Sequence, residues 1–252
     1  MNDKFSWKRF GWLVRSEMLG ERRGLLLQLG GFALLCLLMY SLWNINAIFG
    51  QKFLESAILF PRLIVIVCFA IFVFFNLSAS FKRFFSRDRA SAAFMLPAVR
   101  GEKFLYVVLK NMVIVPLVLL LILLANDLFW GSVFGFDDLA GIYWEIIVRE
   151  WNAMFAQSLF WGLVNCFALM AFFLAGAVVF RRRQYWWTLL AIFVLNIPAI
   201  ILFQIEPRAV NIFERSFDSM GGMLVLNGIT LCWGIGWMYV AWRRFSTLQI
   251  TK

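Results

Sequence analysis

Residues 104–125, FLYVVLKNMVIVPLVLLLILLA, form the third of six long apolar runs in this chain of 252 residues. A helix crosses the hydrocarbon of a bilayer with about 20 such residues. The chain has a mean hydropathy of +0.81 and only 15% charged residues, whereas a soluble domain carries about 25%. The sequence therefore predicts an all-α integral membrane protein.

The other apolar runs are long enough to predict five further membrane-spanning helices. They cover about residues 25–43, 63–80, 153–180, 186–203 and 223–242. No stretch rich in Gly, Ser or Pro separates these runs into two parts. The prediction is therefore one transmembrane domain over residues 1–252, with six spans.

The distribution of charge predicts the orientation of the chain, because cytoplasmic loops carry an excess of Lys and Arg. With six spans, 18 of the 24 cations lie on the side that holds both termini. Five lie on the opposite side, and Lys110, near the start of span three, could snorkel to the basic side. We expect both termini in the cytoplasm and the chain in the cell (inner) membrane. The net charge of +10 then reflects orientation, and we expect no nucleic-acid partner.

The N-terminal 24 residues are basic and amphipathic. Positions 4–22 are predicted to form a helix in the plane of the membrane interface before the chain turns into span one. Its predicted apolar face consists of Trp7, Phe10, Val14 and Met18. The alternative is a plain basic leader that only orients span one.

A loop of unusual length and charge joins spans two and three. Residues 81–103, FKRFFSRDRASAAFMLPAVRGEK, hold six Lys and Arg residues against two acids. The centre, residues 90–96, is small and apolar, and Pro97 closes it. A loop between two spans can be far shorter, so this basic, helix-like segment indicates a docking surface on the cytosolic side.

The motifs of several enzyme classes are missing from the sequence. There is no GxxxxGK[ST] phosphate loop, no HExxH and no GxSxG. The chain has no histidine, and its four cysteines lie inside apolar runs. We therefore expect no catalytic residue, metal or cofactor. The predicted span cores also lack Asp and Glu, which argues against a transporter driven by an intramembrane carboxylate.

The end of the cytosolic loop resembles a phrase close to "LP…EKF" that many bacterial ABC-2-type permeases carry. Its counterpart here includes Leu96, Pro97, Glu102, Lys103 and Phe104, and the layout agrees over nearly the whole chain. The resemblance implies the membrane-spanning subunit of an ATP-binding-cassette exporter, with a coupling helix between spans two and three. That helix would pack into a groove on a separate ATPase subunit.

By this resemblance, the coupling helix runs over about residues 86–96 and ends at Pro97. Its residues would be Ser86 at the start, Arg87, Asp88 and Arg89 for polar contact, and Phe94, Met95 and Leu96 for apolar contact. The alternative is that residues 90–96 simply lie on the membrane surface, since both kinds of helix are amphipathic.

The family further implies that two permease chains, identical or different, form one pathway and that neither hydrolyses ATP. Two other functions compete with this interpretation. One is a membrane-embedded enzyme acting on lipid or prenyl substrates, which usually has acidic or histidine clusters at the membrane face. The other is a non-transporting membrane assembly subunit.

Overall fold

The computed structural model describes residues 5–48, 56–81, 99–134, 153–180, 183–205 and 220–247. All regular secondary structure in these ranges is helical. The helices are α1 (Trp7–Ile48), α2 (Ser56–Ala79), α3 (Arg100–Val108), a π-helical turn π1 (Leu109–Ile114), α4 (Val115–Phe134), α5 (Ala153–Val179), α6 (Gln184–Ile205) and α7 (Met220–Thr247). The all-α prediction is confirmed for the described residues.

Four helical stretches among the described residues are long and apolar enough to cross a membrane, judged by length and composition. They are Trp7–Ser41, Arg100–Trp130, Leu159–Val179 and Gly221–Thr247. Two shorter apolar stretches, Ile64–Ala79 and Gln184–Leu195, lie within α2 and α6. These helices indicate a membrane-embedded protein, and the number of six spans stays a prediction.

The N-terminal helix differs from the prediction. Residues 7–48 form one uninterrupted helix of 42 residues. This helix contains no break at which the chain could turn from an in-plane helix into span one, as predicted. The physical reason is that only two glycines, Gly20 and Gly24, and no proline lie near that position, and each glycine costs a helix only about 1 kcal/mol. At 1.5 Å per residue α1 is about 63 Å long, about twice the thickness of the hydrocarbon.

The helix that contains the third apolar run is also longer than predicted. α3, π1 and α4 follow one another without a break from Arg100 to Phe134, past the predicted end at residue 125. The interval between the third and fourth predicted runs therefore begins inside a helix, and Asp127 is buried there. The predicted span core, residues 104–125, holds no carboxylate, but its helix continues past that core to the buried Asp127.

The chain divides into two compact units, so the prediction of a single domain stays a prediction. The first unit comprises residues 1–73 and 101–153. In it, α1 packs along α4, and Phe32 on α1 packs against Phe69 and Phe72 on α2. Leu119 on α4 is also buried. Aromatic and branched apolar side chains thus hold these three helices together.

The second unit comprises residues 74–100 and 154–252, and α5 is its core. Every residue from 171 to 178 is buried, because neighbouring helices cover α5 on all sides along this stretch. Phe173 stacks on Phe74 of α2, and Phe172 stacks on Trp233 of α7. The small residues of this stretch let the neighbouring helices approach closely, as is common between membrane helices.

Two glycines mark the closest approaches in the second unit. A Cβ added at Gly176 would lie 2.2 Å from the Oγ1 of Thr188 on α6. A Cβ added at Gly234 on α7 would lie 3.0 Å from the Cα of Ala168 on α5. A side chain at position 176 would overlap Thr188, and one at position 234 would press against the backbone of α5.

Candidate functional site

The predicted coupling segment is described only at its two flanks. Its eight predicted residues, Ser86, Arg87, Asp88, Arg89, Phe94, Met95, Leu96 and Pro97, lie outside the described residues. Before the segment, the ring of Phe81 lies 5.3 Å from that of Phe245 on α7. After it, Arg100 donates a hydrogen bond to the carbonyl oxygen of Ser246. Both flanks therefore contact the last turn of α7, within the second unit.

The "EKF" part of the family-like phrase lies in the first two turns of α3. Glu102 is fully buried, with 0% of its surface exposed. Its Oε1 accepts hydrogen bonds from the backbone N–H of Ser6 at 2.9 Å and from Nη2 of Arg9 at 3.2 Å. Lys103 is also buried, and Phe104 is half-buried. Glu102 thus ties the beginning of α1 to the beginning of α3.

The position of Glu102 suits its charge. It lies in the first turn of α3, where the partial positive charge of the helix N-terminus favours a carboxylate. Its burial also demands partners, because an ionised carboxylate away from water is costly unless it is paired and hydrogen-bonded. The Arg9 guanidinium, one third exposed, keeps contact with water while it neutralises the buried acid. This contact joins residues 93 positions apart in sequence.

A second ion pair lies further along the same two helices. Lys110 in π1 pairs with Glu21 on α1. The expectation that Lys110 could snorkel to the basic side stays a prediction, and its partner Glu21 lies in the basic N-terminal segment. Paired charges are the form in which ionisable side chains are usually found at membrane depth.

A third polar contact joins α1 to α4. The hydroxyl of Tyr40 donates a hydrogen bond to Asp127 Oδ1 at 3.3 Å, and both residues are buried. Next to it, the buried side-chain amide of Asn126 makes no hydrogen bond. The three contacts follow α1 and the α3–α4 helix in the same order, so the two helices run parallel.

The π-helical turn lies between the first and third of these contacts. Val115 donates its backbone N–H to the carbonyl of Lys110, five residues earlier. Pro116 follows directly and has no N–H to donate, which explains the departure from α-helical bonding at this position. The buried side chain of Asn111 donates to the carbonyl oxygen of Val107 at 2.9 Å. Single π-turns occur frequently at functional positions of helices.

The sequence pattern carried little signal for these partners. In the sequence, Arg9 and Glu21 belong to the basic N-terminal segment, and Asp127 lies between the third and fourth predicted runs. One signal was available, namely that Glu17 and Glu21 lie four residues apart on a segment whose other charges are basic. Such a pair presents acidity on one helix face, and a buried cation elsewhere was the natural partner.

The described part of the chain holds no group of side chains arranged for metal binding or for disulfide chemistry. No group of three or more His, Cys, Asp or Glu side chains there could hold a metal ion. The four cysteines, Cys36, Cys68, Cys166 and Cys232, are free thiols. The chemistry of the described site is therefore that of ion pairs and hydrogen bonds between helices.

Comparison with known proteins gives no family assignment. The chain matches no family model, no curated protein and no solved structure.

Proposed function

We propose that this chain is the membrane-spanning permease subunit of an ABC-2-type transporter. It would export its substrate with energy from a separate ATPase subunit, which docks on the cytosolic segment at residues 86–97. It would span the inner membrane six times, with both termini in the cytoplasm, and would form the pathway together with a second permease chain. The resemblance of residues 96–104 to the family phrase is the origin of this proposal.

The observation that carries the proposal is how the flanks of the segment are attached. Phe81 and Arg100 contact the last turn of α7, and Glu102, two residues further on, holds the start of α1. A force applied to the segment would therefore act on α7 through Phe81 and Arg100, and on α1 through Glu102. A segment that receives mechanical energy from a partner needs attachments of this kind, because only a contact that differs between two states can shift their populations.

The directions of the helices support the proposed number of spans. Since α1 runs parallel to the α3–α4 helix, the chain must return to its starting side once between them. α2, with 24 residues or about 36 Å, is the described helix in that interval. It is long enough to cross the hydrocarbon. Together, α1, α2, the α3–α4 helix and α5 would cross the membrane an even number of times before α6 and α7. This number agrees with the sides on which the Lys and Arg residues are predicted to lie.

The absence of a phosphate-binding loop from the sequence requires that the ATPase be another protein. The test is co-expression with candidate ATPase subunits, followed by affinity purification. The chain alone should show no ATPase activity, and the right pair should purify as a stable complex. Replacing Phe94, Met95 and Leu96 together by Asp should abolish that complex.

A matched variant controls for the three added charges. Phe136, Leu139 and Ile142, on the predicted outer side, are replaced by Asp in the same way. That variant should retain the complex. Survival of the complex in the first variant, or its loss in both, would show that residues 94–96 are not the docking surface.

A further inference from the structure

An open cavity of about 300 Å³ lies on the surface of the first three turns of α1. It is lined by Trp7, Lys8, Gly11, Trp12 and Arg15. Gly11 forms its floor, since a Cβ added there would meet no atom within 4 Å. Trp7 and Trp12 are 75% and 66% exposed, so two indole rings flank an open notch rather than fill the core.

The cavity is cationic, and no acidic residue lines it. Lys8 and Arg15 are seven residues apart, which places them on one face of the helix about 10 Å from each other along its axis. Neither has an ion-pair partner within the described ranges. The neighbouring cation Arg9 faces the other way and binds Glu102. The two cavity cations are therefore available to an anion from outside.

Hydrogen bonds from α1 to Glu102 fix the position of this cavity relative to the beginning of α3. The backbone of Ser6 and the side chain of Arg9 bind Glu102, so this part of α1 lies beside the beginning of α3. The apolar run of the third span begins two residues after Glu102, at Phe104. The cavity therefore lies where that run meets the polar side, which is the level of lipid headgroups. Tryptophan is enriched in proteins at this level.

The geometry points to a binding site for the headgroup of an anionic phospholipid. Lys8 and Arg15 would bind the phosphate, and Trp7 and Trp12 would lie against the glycerol and the first methylenes of the acyl chains. An anionic headgroup fits better than a zwitterionic one, because no acid in the cavity would attract a choline or ethanolamine group. This site does not depend on whether the chain is a transporter subunit.

The test is native mass spectrometry of the full chain in a neutral detergent, titrated with phosphatidylglycerol or with phosphatidylcholine. Phosphatidylglycerol should bind saturably and more tightly. The double variant Lys8→Gln/Arg15→Gln should bind it about thirtyfold more weakly, about fivefold for each cation at an anionic surface. The control Arg243→Gln/Arg244→Gln removes two exposed cations at the end of α7 and should change affinity less than twofold.

A second variant tests the shape of the site without changing its charge. Gly11→Leu should fill the notch and weaken phosphatidylglycerol binding, whereas Gly20→Leu, at another open position on α1, should not. Equal affinity for the two lipids, or equal losses in a variant and its control, would overturn the site. Inorganic phosphate is also added at 10 mM, on the order of the concentration at which weak, non-specific ion binding occurs. If it displaces the lipid completely, the cavity is a site for free anions and the lipid is not its occupant.

Discussion

The contact between Arg9 and Glu102 allows a quantitative test of how α1 is held to α3. Replacing Arg9 by Met removes the guanidinium from a carboxylate that is fully buried. Breaking a buried ion pair on one side costs about 3–5 kcal/mol. Because the Arg9 side chain is one third exposed, solvent already screens part of the interaction. We therefore expect a loss of about 2–4 kcal/mol in the free energy of unfolding.

Replacing Glu102 by Gln has a smaller expected effect. The amide oxygen still accepts the hydrogen bond from Ser6, and only the charge is lost. Hydrogen bonds to charged groups are worth about 1 kcal/mol more than neutral ones, so the expected loss is about 1 kcal/mol. The double variant has neither the guanidinium nor the buried carboxylate, so no unpaired charge is left in the interior. The double variant should therefore lose less free energy of unfolding than the two single variants added together, by about 1–2 kcal/mol.

The assay is unfolding in mixed micelles by titration with sodium dodecyl sulfate, followed by tryptophan fluorescence. Arg22→Met is the control, because Arg22 is an exposed cation on the same helix. It should change the free energy of unfolding by less than about 0.5 kcal/mol. If Arg9→Met and Arg22→Met unfold at the same midpoint, the pair does not hold the two helices and the reasoning is refuted.

Further variants test two other helix contacts by the same titration. Gly234→Ala should cost about 1–3 kcal/mol, because its Cβ would lie 3.0 Å from the Cα of Ala168. Gly236→Ala, whose Cβ meets nothing within 4 Å, should be tolerated, and equal midpoints for the two variants would contradict the close approach of α5 and α7. Tyr40→Phe should cost about 1–3 kcal/mol, because buried Asp127 loses a hydroxyl donor. An unchanged midpoint would show that this bond contributes nothing.

The helices themselves could be predicted from the sequence, and their ends could not. Long apolar runs specify membrane helices because backbone groups in lipid must bond within their own segment. The same rule does not say where a helix stops in the polar region. α1 extends from residue 25 back to residue 7 because Arg, Glu and Leu there are good helix formers, which offset the cost of Gly11, Gly20 and Gly24.

The polar contacts between helices were beyond prediction from one sequence. Arg9 and Glu102 are 93 positions apart, and Tyr40 and Asp127 are 87 apart. No periodicity within either helix specifies such a partner. Packing decides it, through the angle and register at which two helices meet. The docking role of residues 86–97 was inferred from resemblance and stays a proposal, since these residues lie outside the described ranges.

The most direct test of the proposed function is a cross-link from the segment to the ATPase. Met95→Cys is introduced into a chain whose four native cysteines are replaced, and inverted membrane vesicles that contain both proteins are treated with a short thiol-to-amine cross-linker. Ile142→Cys, on the predicted outer side, is the control. The proposal predicts a product that contains the ATPase from position 95 and none from position 142. No product from position 95, or equal yields from both positions, would contradict it.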